Sequence, residues 1–381
     1  MLSTVNGMKK KLFAAGVAIS SCLIPLEARA ASFTGLNVFG DSLADSGNLF
    51  NLTDAILSPF GLPPLPPPPY AQKNSNGPIW IDNIGQTLGL TPTLATEFVI
   101  NPTGTPPPTE GINFAFAGAL SSDTHILDDD FPLVADFFPG FQDQIDAFAA
   151  LSTAFPVDPS ALNVIWIGAN DYNEAFSNPA SLGGLSLAQL PNFVTDNIID
   201  GLTQLDDLGA KEFLVVNLPA TGEAPFADFF DAQSPLDIPS VLNQLTFAHN
   251  ELLSVKLDVF AQSRPDTSIT TLDVGTLFAD ILADPGAFGL ANVTDSCLIN
   301  FQPGFQFDDV CNNPDEFLFW DDTHPTTAAY KIVSDFALAT LHDGDITSAS
   351  VPEPGSLGAL LAMGFIGSGA VLTKRVHNPK K

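Results

Sequence analysis

The stretch Leu36-Asn37-Val38-Phe39-Gly40-Asp41-Ser42-Leu43-Ala44-Asp45-Ser46-Gly47-Asn48 decides the fold. A short, mostly apolar run ends in glycine, and a serine stands two places later, where strand gives way to loop and helix. Runs of the same character recur at 162–167, 213–216 and 269–272, and their near-continuous apolarity suits strands buried on both faces. The segments between them carry helical spacing: 140–151, with Phe141, Ile145, Phe148 and Leu151 in register, then 186–208, 241–263 and 326–341. Strand and helix in alternation predict the α/β class, a parallel sheet covered on both faces in a three-layer α/β/α sandwich. Ser42 then falls at the carboxyl edge of the sheet, where open α/β folds bind ligands.

A serine hydroxyl attacks poorly until a neutral imidazole removes its proton, and the imidazole needs an acceptor on its other nitrogen. Downstream, Phe319-Trp320-Asp321-Asp322-Thr323-His324-Pro325-Thr326 supplies both groups: His324 as base and Asp321 as its orienter, with Asp322 the competing carboxylate. Ile165-Trp166-Ile167-Gly168-Ala169-Asn170-Asp171 closes the second strong strand and brings the Asn170 amide to the same edge. The strand-to-helix turn itself presents backbone N–H groups to a developing oxyanion. The bland alternative makes Ser42 or Asp41 a helix cap.

These blocks resemble the GDSL family of SGNH hydrolases, and the resemblance extends over residues 37–341. Gly40-Asp41-Ser42-Leu43 matches the block that holds the family's nucleophile. Gly111-Ile112-Asn113-Phe114-Ala115-Phe116-Ala117-Gly118-Ala119 is similar to the second block, with Ala117 where relatives usually carry another glycine, and implies Gly118 as an oxyanion donor. The third block implies Asn170 as the side-chain donor, and the last implies Asp321 and His324. By that resemblance the sandwich is flavodoxin-like, and the oxyanion hole is made by Ser42, Gly118 and Asn170. The implied activity is a serine esterase or lipase that hydrolyses carboxylic esters through an acyl-enzyme, with no cofactor and no metal. The substrate would be a small-molecule, lipid or carbohydrate ester. A carbohydrate O-acetyl esterase of an exopolysaccharide matrix is a variant, and a non-catalytic surface or matrix protein on a hydrolase fold is the alternative from another class.

Charge and the chain ends add a location. The 381 residues hold 13 basic and 43 acidic side chains. Between 31 and 350 only Lys73, Lys211, Lys256, Arg264 and Lys331 are basic, while all acids but Glu27 and Glu353 fall there. Such a body repels phosphate backbones, which argues against nucleic acid as a partner. It should also raise the pKa of His324 in a salt-sensitive way. Lys9 to Lys11, the apolar residues that follow and Ala28-Arg29-Ala30 read as a signal peptide over 1–30, implying export. Ile19-Ser20-Ser21-Cys22 loosely matches a lipobox, so lipidation at Cys22 stays open. A hydrolase domain is expected over 31–343 and a linker over 344–350. Residues 351–381 carry Val351-Pro352-Glu353-Pro354, an apolar run and Lys374-Arg375 with Lys380-Lys381. They resemble a PEP-CTERM sorting signal, which implies an exosortase-type protease, transient membrane contact and delivery to the envelope or an exopolysaccharide; a plain membrane anchor is the other reading.

After signal removal Cys297 and Cys311 form an even pair, and export makes a disulfide the default. His125, His249 and His342 lack partners at metal spacing and read as surface or core histidines. Asp128-Asp129-Asp130 and Asp308-Asp309 depart from the EF-hand pattern and read as solvated loops. Asp41 and Asp45 are expected to shape the loop around Ser42. The Pro-rich stretches 59–69 and 102–108 read as surface excursions.

Overall fold

The computed structural model describes residues 33–128, 137–232, 234–302 and 304–344. The signal segment, Cys22, Asp129, Asp130 and residues 345–381, with the sorting segment, lie outside the described residues. The chain runs through β1 (Leu36–Gly40), α1 (Asn48–Leu57), α2 (Trp80–Leu88), β2 (Thr93–Leu94), α3 (Ala95–Ile100) and β3 (Ile112–Asn113). It continues with α4 (Phe141–Ser152), β4 (Leu162–Trp166), α5 (Ala169–Ser177), α6 (Leu190–Asp207), β5 (Glu212–Val216), α7 (Pro225–Asp231), α8 (Ile238–Ser263) and β6 (Ser268–Leu272). Then come α9 (Val274–Ala283), four strands outside the main sheet, β7 (Asn292–Ser296), β8 (Leu298–Ile299), β9 (Asp309–Val310) and β10 (Phe317–Phe319), and α10 (Thr327–Gly344).

One six-stranded sheet, ordered β2-β3-β1-β4-β5-β6 and parallel throughout, carries the fold. All residues of β1 and β4 are buried, paired from Leu36 opposite Leu162 to Gly40 opposite Trp166. Two amides sit inside this apolar layer and satisfy each other and the backbone: Asn37 Nδ2 donates to Asn163 Oδ1 at 3.0 Å, and Asn37 Oδ1 accepts from the Ile112 N–H at 3.1 Å. Helices α4, α6 and α8 pack on one another, and α2 packs on α10, giving the two helical layers of the expected α/β/α sandwich.

The four long strands and four long helices stand within a few residues of their expected bounds. Helix α8 starts at Ile238 rather than 241 because Asp237 caps it, accepting from the Ser240 N–H, and Pro239 fits the first turn. Strand β6 departs from the doubly buried expectation: Ser268 and Thr271 are exposed, since β6 is a sheet edge with a single neighbour. The 59–69 stretch is an excursion only in part. Its tip, around Phe60 and Leu62, is exposed, but the chain then turns inward and buries Pro66 and Tyr70. Among the described residues no helix is long and apolar enough to cross a membrane.

Candidate active site

Strand β1 delivers Ser42 to the edge of the sheet through a loop fixed on every side. Only glycine fits at position 40, because a Cβ there would stand 2.2 Å from the Trp166 carbonyl oxygen on the adjacent strand. The buried carboxamide of Gln144, on α4, grips the Gly40 peptide twice: the Gly40 N–H donates to Oε1 and Nε2 donates to the Gly40 oxygen, both at 2.8 Å. Asp41 accepts from the Leu43 N–H, and Trp80 Nε1 donates to the Leu43 carbonyl. Asp45 accepts from the N–H groups of Gly47 and Leu49 at the start of α1 and from that of Ala117. The two aspartates thus shape the loop, as expected.

The last strand before α10 brings the other groups. His324 Nε2 lies 2.8 Å from Ser42 Oγ, and His324 Nδ1 lies 2.7 Å from Asp321 Oδ2 and 2.9 Å from Oδ1. With Nδ1–H donating to the carboxylate, Nε2 is free to accept the serine proton. Asp321 Oδ1 also accepts from the backbone N–H groups of Thr323 and His324. The structure thus brings Ser42, His324 and Asp321 together, with Asp321 rather than Asp322 on the imidazole. A fourth group was not legible in sequence: Tyr70, at the end of the Pro-rich stretch, donates from its hydroxyl to Asp321 Oδ2 at 2.7 Å. The chain has only 3 Tyr beside 31 Phe, and all three tyrosines are buried.

Gly118 and Asn170 converge from two further strand ends. Gly118 has φ +96°, and an added Cβ would meet the His125 ring at 2.6 Å, so both backbone and space call for glycine. Asn170, at the start of α5, donates from Nδ2 to the Ala119 carbonyl at 2.9 Å. Asp171 beside it accepts from Ser121 N–H and Oγ–H, tying the same two segments together. His125 is a core histidine, as read from sequence: Nε2 donates to the Ala117 carbonyl at 2.7 Å and Nδ1 accepts from the Leu127 N–H. Among the described residues the N–H groups of Ser42 and Gly118 have no protein acceptor.

The electrostatics follow from burial. Burial disfavours a charged imidazole, but the Asp321 carboxylate, its hydrogen bond, and the carboxyls of Asp322 and Asp41 outweigh it and hold His324 above the ordinary histidine value. Burial would raise Asp321, yet the His324 charge and the hydrogen bonds keep it low. Burial pushes Asp322 up to about 7, helped by the Asp321 charge, and pushes Asp41 to about 7 as well. Asp171 rises to about 6 on burial. His249, buried like His125, shares a hydrogen bond with Tyr172 at 2.9 Å, and burial lowers it to about 3.

Beside Ser42 opens a slot with about 80 Å³ of free space, and Asp41 and Asn170 also line it. Cys297 and Cys311 form a disulfide, as expected from sequence. Among the described residues no three His, Cys, Asp or Glu side chains are grouped so as to hold a metal ion. Asp308 accepts from Asn300 Nδ2 at 2.7 Å, a local loop bond.

Comparison with known proteins agrees with this architecture. A family model described as GDSL-like lipase/acylhydrolase matches residues 36–336. A GDSL esterase/lipase from Arabidopsis thaliana is 29% identical over 80% of this chain and 86% of its own length. A second from the same plant is 30% identical, covering 82% of this chain and 83% of the relative. A phosphatidylcholine-sterol acyltransferase from Aeromonas hydrophila is 26% identical, covering 82% and 92% respectively.

Proposed function

This chain belongs to the GDSL-like lipase/acylhydrolase family and is an ester-hydrolysing enzyme, and from that premise we propose that it works through a Ser42-His324-Asp321 triad and an acyl-enzyme. The observation that carries the reading is the unbroken relay from Ser42 Oγ through His324 to Asp321 at hydrogen-bond distances. His324 Nε2 takes the Ser42 proton as Oγ bonds to the ester carbonyl carbon. The oxyanion is met by the N–H groups of Ser42 and Gly118 and the Asn170 amide, each typically worth about 3 kcal/mol in the transition state. Collapse breaks the bond to the alcohol oxygen, which receives the proton from Nε2. Water then attacks the acyl carbon, gives its proton to Nε2, and Ser42 recovers that proton as the carboxylic acid leaves.

The same proposal places the enzyme outside the cytoplasm. It rests on the sequence of 1–30, on the Pro-Glu-Pro, apolar and basic order of 351–381, and on a disulfide suited to an oxidising compartment. On this reading 31–343 is the catalytic domain and 344–350 the linker before a sorting signal read by an exosortase-type protease. Intact mass of the native protein tests it: an end near residue 352 is expected, and a mass retaining 357–381 overturns the sorting reading. For the chemistry, turnover of p-nitrophenyl esters should fall by several orders of magnitude in Ser42→Ala with the fold intact; turnover that survives the substitution overturns the triad.

A further inference from the structure

A second groove runs along α4 and shares no lining residue with the slot beside Ser42. It holds about 770 Å³ of free space, a volume usual for small-molecule sites. Phe98 of α3, Phe114 and Phe116 beyond β3, and Phe137 and Phe138 ahead of α4 give it aromatic walls. Val99, which also lines it, is 59% exposed and Phe137 is 51% exposed, so the groove leaves large apolar side chains open to water. Along α4 the lining changes character. Asp143 stands in the first turn, and Ala147, Ala150 and Leu151 follow; from Asp143 to Leu151 the helix covers about 12 Å. Asp123 and Asp128 line the groove as well. Burial holds Asp143 above the ordinary carboxylate value, and the charges of Asp123, Asp146 and Asp128 add to the rise, so these acids lie within electrostatic reach of one another. Among the described residues the lining holds no Lys, Arg or His. The five basic side chains between 31 and 350 bond acids elsewhere, at Asp82, Asp196, Asp206, Asp207 and Asp335.

We propose that this groove binds an organic ammonium ion with an apolar body, the charged head near Asp143 and the alkyl or aryl part along Ala147 to Leu151. Charge complementarity selects the head. A fatty carboxylate would meet like charge there, and a neutral alcohol would leave the acids unmatched. A bare metal ion is not served either, since among the described residues no three acids are grouped so as to hold one. An ammonium whose charge is spread over its alkyl groups suits separated carboxylates and sits favourably against phenylalanine faces. The apolar part then covers the side chains that the groove leaves open, each buried methylene being worth about fourfold in binding. The inference uses none of the catalytic groups, so it stands or falls apart from the triad.

Isothermal titration calorimetry of the full protein with octyltrimethylammonium tests it, with tetramethylammonium as the head alone and octanoate as the same chain with the opposite charge. Octyltrimethylammonium should bind one site at least about tenfold tighter than either control, and its affinity should fall as salt screens the carboxylates. Asp143 Oδ2 accepts from the Gly140 N–H at 3.1 Å, and Asp143→Asn keeps an oxygen for that bond while removing the charge. The cation should bind several-fold more weakly to this variant. Ala147→Arg sets a fixed cation in the groove from an exposed position, and should abolish ammonium binding while octanoate gains affinity. Melting curves confirm that each variant folds. Octanoate binding as tightly as the ammonium overturns the choice of ligand, and tetramethylammonium binding as tightly overturns the role of the apolar walls. The absence of saturable binding overturns the site itself. So does an affinity unchanged in either folded variant, because the cation would then be held by acids elsewhere on the body.

Discussion

The Tyr70 hydroxyl donates to Asp321 Oδ2 at 2.7 Å, on the same oxygen that accepts from His324 Nδ1 at 2.7 Å. Two residues 251 positions apart thus share the charge on which the imidazole depends. Tyr70 packs with Cys297, Leu298 and Trp320 in an apolar cluster of its own, so the end of the Pro-rich stretch is anchored against the loop it serves.

Tyr70→Phe keeps that packing and removes only the hydroxyl. The carboxylate loses a donor, its charge is less stabilised, and its pull on the imidazolium grows. The acidic limb of kcat/KM should therefore move to higher pH, with a plateau loss of about tenfold, the scale of a hydrogen bond to a charged group. A purely structural role would lower Tm and leave the limb in place, so a pH profile with a melting curve separates the two.

His324 must be neutral to act as base, and its pKa is raised, so the rate should climb with pH through a midpoint above the usual histidine value of about 6.5. Net charge alone made this shift salt-sensitive; the structure attributes it to adjacent buried carboxyls, which salt screens little. The midpoint should accordingly barely move between low and high ionic strength. Asp322→Asn removes one of the charges that favour imidazolium, and should move the limb to lower pH with kcat kept. Asp321→Asn should instead cost about ten-thousandfold in kcat through the wrong tautomer. Rate profiles of the two variants that coincide would contradict the assignment of roles.

Asn170→Ala should lower kcat about 100- to 1000-fold with KM little changed, since two backbone donors remain. Gly118→Ala should do more damage, because φ +96° is strained for alanine and its Cβ would strike the His125 ring. A fall in Tm is expected for Gly118→Ala, and stopped-flow acylation measurements on Asn170→Ala should place its loss in the chemical step.

How far the sequence reached depends on how local each signal is. The strands at 36–40 and 162–166 are buried on both faces, so their apolar runs mark them directly, and Ser42, Asn170 and His324 follow at strand ends or turns whose spacing is local. The bounds of α1 and α2 escaped because their buried stripes are short: α1 buries Asn48 and Thr53 beside Leu49 and Leu52. Gln144 and Tyr70 were not legible for another reason. Each acts through a partner about 100 or more positions away, and nothing beside either residue in the chain encodes that partner. The 177–189 connection and the short strands β7 to β10 carry no sustained period and had to be seen in place.

The disulfide gives a prediction that joins stability to rate. Cys297 and Cys311, 14 positions apart, close the hairpin of β8 and β9. The Cys297 N–H donates to the Phe319 carbonyl at 3.0 Å, the Leu298 N–H donates to that of Trp320 at 2.8 Å, and the Trp320 N–H donates to that of His324 at 2.7 Å. The hairpin is therefore bonded to the two residues that precede Asp321, and the same strand is bonded to the base. Replacing both cysteines by alanine frees a loop whose closure is worth about 3 kcal/mol, which for a domain of this size lowers Tm by roughly 5 to 10 °C. Because Asp321 and His324 hang on the loosened strand, kcat should fall several-fold at temperatures well below the melting transition. Calorimetry and steady-state kinetics on the double variant check both halves: a lowered Tm with an unchanged kcat would mean that the 317–324 segment holds its geometry without the hairpin.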